Sequence, residues 1–529
     1  MRKLVFFIPI IIFKLTMAQQ PAVDWAINGS GFYEIALDAN NNIYSIFIHS
    51  DSLIGLRKQN TNGELVWSEQ DTLSHYSYAC IKTDNKGNTC IAGVHRIFSH
   101  KEEYFDPPYF YTISFYNTCI FLTKYDSLGN NVWKVNSQYN LDTLGDIARI
   151  KSIDIDQENN IIIYGELKGL LTLDSLSITD DISFNTTSLF IAKFSENGDI
   201  IWLKQMQGGS NTAKYCEIDN YNNIYLSGEF YGVLNLSDTI VFTGGYGFFI
   251  CKMDTYGNII WVKHGGSDMN TSHFHSMSIT QNSEIYFTGE LDGTGHFDNH
   301  FLETDGYIQD FVCKLDSSGN VLWDTIVDAF NNGTIVKTYD SSILLSISFK
   351  DTLIVNNNIY ISNGGLDYCL VELADNGYVN WVKHIGGVGH DGVKSIEIDS
   401  CNNVLLLAFF EDSLQLDNFN LIADGYHYFI AKFLRDSLFF NNINEIKKNI
   451  NVKIYPNPAH QIINIEGQFN ENTLIEIYDV SGKLIHYKDI KSSNSVCITK
   501  LHLTKCNKGY YFIVIRNSKY VKAEKVLFY

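Results

Sequence analysis

The residues whose types and spacing come nearest to metal chemistry are His273 and His275, a His-x-His pair, with His264 and His384 each following a Trp-Val-Lys triplet. A zinc site needs three or four ligands. No third ligand stands at a recognisable spacing, so no metal is expected. Segments such as Asp316-Ser-Ser-Gly-Asn320 crowd oxygen donors together as a calcium loop does. Calcium takes six to eight converging oxygens, and an EF-type loop ends in a bidentate Glu. Each segment here offers two or three side-chain oxygens, and Asp, Asn and Gly are also what a tight turn requires. The expectation is therefore turns. No Ser-His-Asp order, nucleophile elbow or phosphate loop is present. Carboxylates are too numerous for one acid–base pair to stand out. No catalytic residue and no cofactor are assigned. One segment, Tyr104-Phe-Asp-Pro-Pro-Tyr-Phe-Tyr-Thr-Ile-Ser-Phe-Tyr-Asn117, concentrates aromatics and two prolines. Loops on a rigid scaffold are where binding tends to sit, and aromatic faces suit sugars or peptides. Tyr104, Phe105, Tyr109, Phe110 and Tyr111 are thus candidate contacts to an extracellular glycan or protein, against the alternative that the rings pack over their own scaffold.

The elements that must position these residues are repeated. Asp310-Phe-Val-Cys-Lys-Leu-Asp-Ser-Ser-Gly-Asn-Val-Leu-Trp323 reads as a hairpin of an apolar strand, a tight turn and a second strand ending in Trp. Seven tryptophans mark its copies, at 25, 67, 133, 202, 261, 323 and 381, and six follow a Gly by four positions. Their spacings of 42 to 69 residues suit propeller blades better than helical solenoids. A second hairpin follows each Trp, as in Glu217-Ile-Asp-Asn-Tyr-Asn-Asn-Ile-Tyr225, then often a Gly-Glu element and a strand of the Phe-Ile-Ala-Lys type. That makes four strands per unit and seven units. The last such strand, 429–432, has no Trp strand after it, and the Trp25 strand has none before it. If the array closes, the two orphans complete one blade and no sheet edge is left free. The recurrent Trp is then a packing residue between blades. The unit after Trp323 lacks the Asn pair and carries Glu372 in the lysine position.

Arg2 and Lys3, the apolar run 4–13 and Thr16-Met-Ala18 form a signal peptide, 1–18, with cleavage near Ala18. The run is too short to span a bilayer, and no other stretch is long enough. Net charge is −20; removing +3 for 1–18 and +7 for 447–529 leaves −30 for 19–446. An acidic body repels nucleic acid and anionic membranes, so neither is an expected partner. Ten cysteines include no Cys-x-x-Cys pair. Cys251 and Cys313 occupy the position of Ala192 and Ala431 in sibling units and read as small buried hydrophobes. Cys497 and Cys506 are candidates for pairing.

The pattern Phe-Val-x-Lys-x-Asp-x-x-Gly-x-x-x-Trp, strongest at 126–133, 251–261 and 310–323, resembles the bacterial seven-bladed β-propeller (SBBP) repeat over 22–437. Its Gly-x-x-x-Trp end also resembles the tryptophan-docking motif of quinoprotein dehydrogenases. Those enzymes place Asp four residues before the Gly, whereas Asp254 and Asp316 stand three before theirs, which speaks against a quinone. Residues 438–451 read as a polar linker. In 452–529, alternating strands carry Pro456-Asn457-Pro458, then Asp479 with Gly482 and Lys483, then Gly509 and Tyr511. These blocks resemble the type A C-terminal sorting domain of type IX secretion in Bacteroidetes. The resemblance implies a partner, the type IX machinery, and release or attachment outside the outer membrane. Ten Asp-Ser/Thr-aliphatic triplets, Asp174-Ser-Leu among them, resemble the O-glycosylation acceptor of that phylum.

The expected architecture is all-β: a seven-bladed β-propeller (22–437) followed by a small β-sandwich (452–529). The expected function is binding or adhesion at the cell exterior through loops of one propeller face. The competing class is a glycan lyase or hydrolase at the channel mouth, which converging His, Tyr, Arg or carboxylates would favour and an apolar plug would oppose. A third reading is a passive surface-layer component.

Overall fold

The computed structural model describes residues 21–434 and 452–528, less the segments 30, 49–53, 71–75, 105–109, 139–146, 181–185, 237–238, 268–271, 328–334, 340–341, 356–357, 457–458, 460–461, 470–472, 480–483, 492–495, 503–508 and 517–520. The expected signal peptide and linker lie outside the described residues, as do Phe105, Tyr109, Asn457, Pro458, Gly482, Lys483 and Cys506. The chain divides into two compact units, Met1–Arg435 and Asp436–Tyr529. Among the described residues both are built of strands, with no helix.

Alternating apolar residues separated by Asp/Asn/Gly turns fold the first unit into four-stranded antiparallel meanders. The first runs Phe32–Leu37, Ile43–Ile48, Ile54–Gln59 and Leu65–Gln70, each paired with the next. Others follow over 76–136, 147–206, 207–267, 272–327 and 335–385, the strand Ile200–Ile218 closing one and opening the next. The last meander takes Gly392–Ile398, Val404–Leu416 and Phe419–Leu434 from one end of the chain and Ala22–Gly29 from the other. Trp25 lies opposite Lys432 and Ala26 opposite Ala431. The orphan strands at the two ends of the repeat therefore pair with each other. The opening strands of successive meanders also contact one another in a cycle that returns from Gly392–Ile398 to Phe32–Leu37. Middle strands such as Ile161–Lys168 and Asp367–Ala374 are buried on both faces, so the cores lie between meanders as well as within them.

The hairpin turn has a local cause. In Asp316–Asn320, Asp316 Oδ1 accepts hydrogen bonds from the backbone of Ser318 and Asn320, and Oδ2 from Asn320 Nδ2, all at 2.9 Å. Gly319 sits at φ +81°, which a residue with a Cβ rarely adopts. The same turn receives the Trp of the preceding meander. Trp67 Nε1 donates to Ser127 O at 3.2 Å, Trp133 to Glu196 O at 3.1 Å and Trp323 to Asp375 O at 2.9 Å. A Cβ on Gly129 or Gly198 would meet the docked ring at 3.1 or 2.9 Å. Gly-x-x-x-Trp thus couples neighbours at Gly63, Gly129, Gly198, Gly319 and Gly377, whereas at Gly257 the side chain of Lys204 lies against the turn.

The lysine of the Phe-Ile-Ala-Lys strand ties a meander together at depth. Lys124 and Lys193 meet Asp84 and Asp156 at 2.8 Å, and Lys432 meets Asp399 at 3.0 Å. These Asp residues head the other hairpin turn of the same meander, so both partners come from the repeat. The sixth meander, 335–385, breaks the pattern for a physical reason. Trp381 has no following Asp-x-x-Gly turn to dock on, because the next hairpin is where the chain ends meet. Its Nε1 donates instead to Glu372 of its own meander. Glu372 replaces the lysine and supplies the missing acceptor.

In the second unit, Lys453–Tyr455, Ile462–Gln468 and Val496–His502 form one sheet. Leu484–Ile490, Thr473–Asp479, Gly509–Arg516 and Val521–Phe528 form another. Ile463 and Ile465 from the first share a core with Ile475, Ile477, Ile513 and Ile515 from the second. The alternation in Thr473–Asp479 and Gly509–Arg516 puts these side chains inward.

Candidate functional site

The opening strands of the meanders line a cavity of about 440 Å³. Its wall takes Glu34, Lys82, Lys151, Lys214, Glu217, Lys337, Lys394 and Glu397 from six strands, with Tyr215 and His275 among them. The wall thus holds five lysines and three glutamates, and three of the lysines also meet carboxylates that stand behind it. Bulges set several of these side chains. The register slips between Ile150 and Ser152, between Ala213 and Cys216, between Phe274 and Ser276 and between Val393 and Ser395. The extra residues are Lys151, Lys214 with Tyr215, His275 and Lys394. An unpaired residue in a strand redirects its side chain away from the regular alternation.

The charges are partly matched. Lys82 lies 3.0 Å from Asp154, and Lys337 3.1 Å from Glu397. Lys151 reaches Glu166 at 3.3 Å and Lys214 reaches Glu229 at 2.9 Å. Lys394 has no ion pair among the described residues and stands 6.0 Å from the Phe409 ring. Glu34 and Glu217 open on the cavity but are enclosed by protein, so little bulk water solvates their charge. Burial, reinforced by Glu397, pushes Glu34 up to about 8. Burial pushes Glu217 up to about 7 against the pull of Lys337 and Lys82. Asp154 raises the Lys82 ammonium and keeps it charged. The cavity therefore offers fixed cations, carboxyls that titrate near neutrality, and the hydroxyls of Ser152, Ser276 and Ser395.

His273 and His275 both face Glu290, at 3.8 and 3.6 Å, and differ in their other partners. His273 Nδ1 faces Glu229 at 3.4 Å, and the bulge after Phe274 turns His275 toward Glu290 at 3.6 Å and Asp310 at 3.8 Å. Burial, with Lys214 nearby, pushes the His275 imidazole down to about 4. Glu290 and Asp310 lie opposite each other on neighbouring strands, a pairing twenty residues apart that spacing along the chain does not display. His384 bonds Asp367 at 2.7 Å, and His264 stacks edge-on to His296 at 6.4 Å.

Of the aromatic segment, Tyr104 and residues 110–117 belong to paired strands. Thr89–Tyr104 and Phe110–Tyr125 pair continuously out to Tyr104 opposite Phe110, with Glu103 opposite Tyr111. In the second unit Asp479 lies opposite Tyr511 near the end of the strand pair that Gly509 opens, and Pro456 follows the short strand Lys453–Tyr455. Among the described residues Cys251 and Cys313 are buried free thiols, and Cys401 is an exposed one.

A family model described as a secretion system C-terminal sorting domain matches residues 453–528. No curated protein matches the chain. Solved structures similar to it include the β-propeller domain of the trilobed protease from Pyrococcus furiosus. That domain is 9% identical, with 74% of this chain and 97% of that one covered at a TM-score of 0.39. Trypanosoma rangeli sialidase in complex with sialic acid is 8% identical, with 95% and 88% covered at 0.35. A Synechocystis apocarotenoid oxygenase mutant is 8% identical, with 79% and 94% covered at 0.34. The sorting domain marks the chain for the type IX secretion machinery and for export to the cell surface or the medium. No helix among the described residues is long and apolar enough to cross a membrane.

Proposed function

We propose that residues 22–437 act outside the cell as a seven-bladed β-propeller that binds a small polyhydroxylated anion, an acidic sugar being the class that fits. The C-terminal β-sandwich serves export. The reading is carried by one observation: a cavity of about 440 Å³ whose wall holds five lysines, three glutamates and several hydroxyls. Ligand pockets run from about 300 to 1,000 Å³, so a mono- or disaccharide fits. Alternating donors and acceptors suit a polyol, and Lys394, which has no ion pair among the described residues, suits a carboxylate. Titration calorimetry with glucuronate, its disaccharides and neutral glucose tests this. Glucuronate should bind more tightly than glucose, and Lys394→Ala should weaken it about tenfold, the worth of one exposed charge contact. Equal binding of glucose and glucuronate, or no binding of either, sinks the proposal. The segment with Tyr104, Phe105, Tyr109, Phe110 and Tyr111 is a second proposed contact, for a glycan or protein. Alanine at Tyr109, Phe110 and Tyr111 should then change a glycan-array profile.

A second reading, a glycan lyase or hydrolase, is favoured by carboxyls in unlike environments around one cavity. Glu34 and Glu217 are raised toward neutrality, while Glu397 is paired with Lys337. Environments that push carboxyls apart are what acid–base catalysis uses. Turnover of an acidic polysaccharide that Glu34→Gln and Glu217→Gln each abolish would establish it. Binding without turnover leaves the first reading.

A further inference from the structure

We infer that His275, Glu290 and Asp310 form a binding site for a divalent transition-metal cation, with zinc the best match to the donor set. The inference stands on the fifth meander alone and does not depend on what the central cavity holds. Three strands contribute one ligand each: Ser272–Ile279 through its bulge, Ile285–Phe297, and His300–Leu315. One donor atom from each residue lies within 4.8 Å of the other two. All three are enclosed, with side-chain exposures of 13% for His275, 9% for Glu290 and 2% for Asp310. Nδ1 of His275 is shut off from solvent and makes no hydrogen bond among the described residues.

The sibling meanders show what is unusual. In the third, the bulged residue is Lys151, set against Glu166, and the residue opposite Glu166 on the next strand is Leu189. In the fourth, Lys214 is set against Glu229, and Phe248 lies opposite. The motif there is one carboxylate, one ammonium and one apolar side chain. In the fifth, the lysine has become His275 and the apolar residue has become Asp310, while Glu290 keeps its place. Two changes at contacting positions remove a fixed positive charge and add a carboxylate in an enclosed pocket. Buried carboxylates are costly unless a cation meets them. The neighbouring His273 is half exposed, facing Glu229 at 3.4 Å through Nδ1 and Glu290 at 3.8 Å through Nε2. Zinc takes both imidazole nitrogen and carboxylate oxygen as ligands, and nitrogen among the donors disfavours calcium or magnesium. Three protein ligands would leave a coordination position for water or a further ligand.

The rival is an imidazolium held between two carboxylates with no metal. The full mature chain, purified without a polyhistidine tag, is stripped with chelator and titrated with zinc chloride by calorimetry. Metal content is read by plasma mass spectrometry after dialysis. One zinc per chain is expected. His275→Lys restores the pattern of Lys151 and Lys214, so it should fold like its siblings, and it should weaken zinc binding by about 100-fold or more, since even groups behind the ligands cost 10- to 100-fold. Asp310→Asn should weaken it as well, and His300→Gln should not. Zinc binding weaker than about 1 mM, or equal binding by His275→Lys, would overturn the inference.

Discussion

Replacing Glu34 by Gln removes one ionisable group from the cavity wall without changing its shape, and its effect on stability has a definite sign. The carboxyl is raised from 4.5 to about 8, chiefly by burial and then by Glu397. Below pH 4.5 it is protonated in both the folded and the unfolded chain. Between 4.5 and 8 the folded chain keeps a proton that the unfolded chain releases, so stability falls as pH rises through that window and is flat above it. The rise amounts to about 5 kcal/mol at roughly 1.4 kcal/mol per pKa unit. Water entering the cavity screens part of this, leaving about 2–3 kcal/mol as the expected loss. The amide introduced by Glu34→Gln would stay neutral throughout, so the variant should match the parent at pH 4.5 and exceed it by that amount at pH 9. All seven tryptophans lie between 25 and 381, so tryptophan fluorescence in urea follows the first unit alone, even in the full chain. Parallel pH profiles for parent and variant, or a variant less stable at pH 9, would refute the placement of Glu34 in an enclosed site.

Lys124 and Asp84 form an ion pair with side-chain exposures of 3% and 0%. Lys124→Met should cost about 3–5 kcal/mol in the same fluorescence assay by leaving a buried carboxylate alone, and Asp84→Asn in that background should recover part of it. Trp381 is a core aromatic whose Nε1 bonds Glu372; Trp381→Ala should cost about 3–5 kcal/mol, and an unchanged urea midpoint would contradict its role. Deleting 447–529 should abolish surface and medium yield, because the sorting domain goes with it; undiminished yield on immunoblot would remove that assignment.

The strand pattern was legible because each hairpin carries its own chemistry. Asp316, Gly319, Asn320 and Trp323 specify a turn and a docking partner within eight residues, and closure followed from Trp25 and 429–432 each lacking a neighbour. The cavity was not legible, because its residues are those that the repeat leaves variable. Lys151, Lys214, His275 and Lys394 are bulge residues, and alternation along a strand does not tell where a bulge falls. Glu290 sits in a Gly-Glu-Leu segment that reads as a blade element, and its meeting with Asp310 depends on strand register. Aligning the units on Glu166, Glu229 and Glu290 and asking what stands opposite each would have shown it: Leu189, Phe248, then Asp310.

Departures from a repeat are of two kinds, and the structure separates them. Glu372 breaks the lysine pattern at the one meander whose Trp has no following turn, and it supplies the acceptor that turn would have provided. The change restores a hydrogen bond and leaves nothing further to explain. At His275 and Asp310 the neighbouring turn, docked Trp and paired lysine are all in place: Trp261 bonds Ser317 O at 3.3 Å, and Lys314 meets Glu284 at 3.1 Å. No structural deficit there calls for a histidine and a second carboxylate. Two enclosed carboxylates instead of one make the meander harder to fold unless a cation joins them, so the substitution makes physical sense as a binding site and not as a repair.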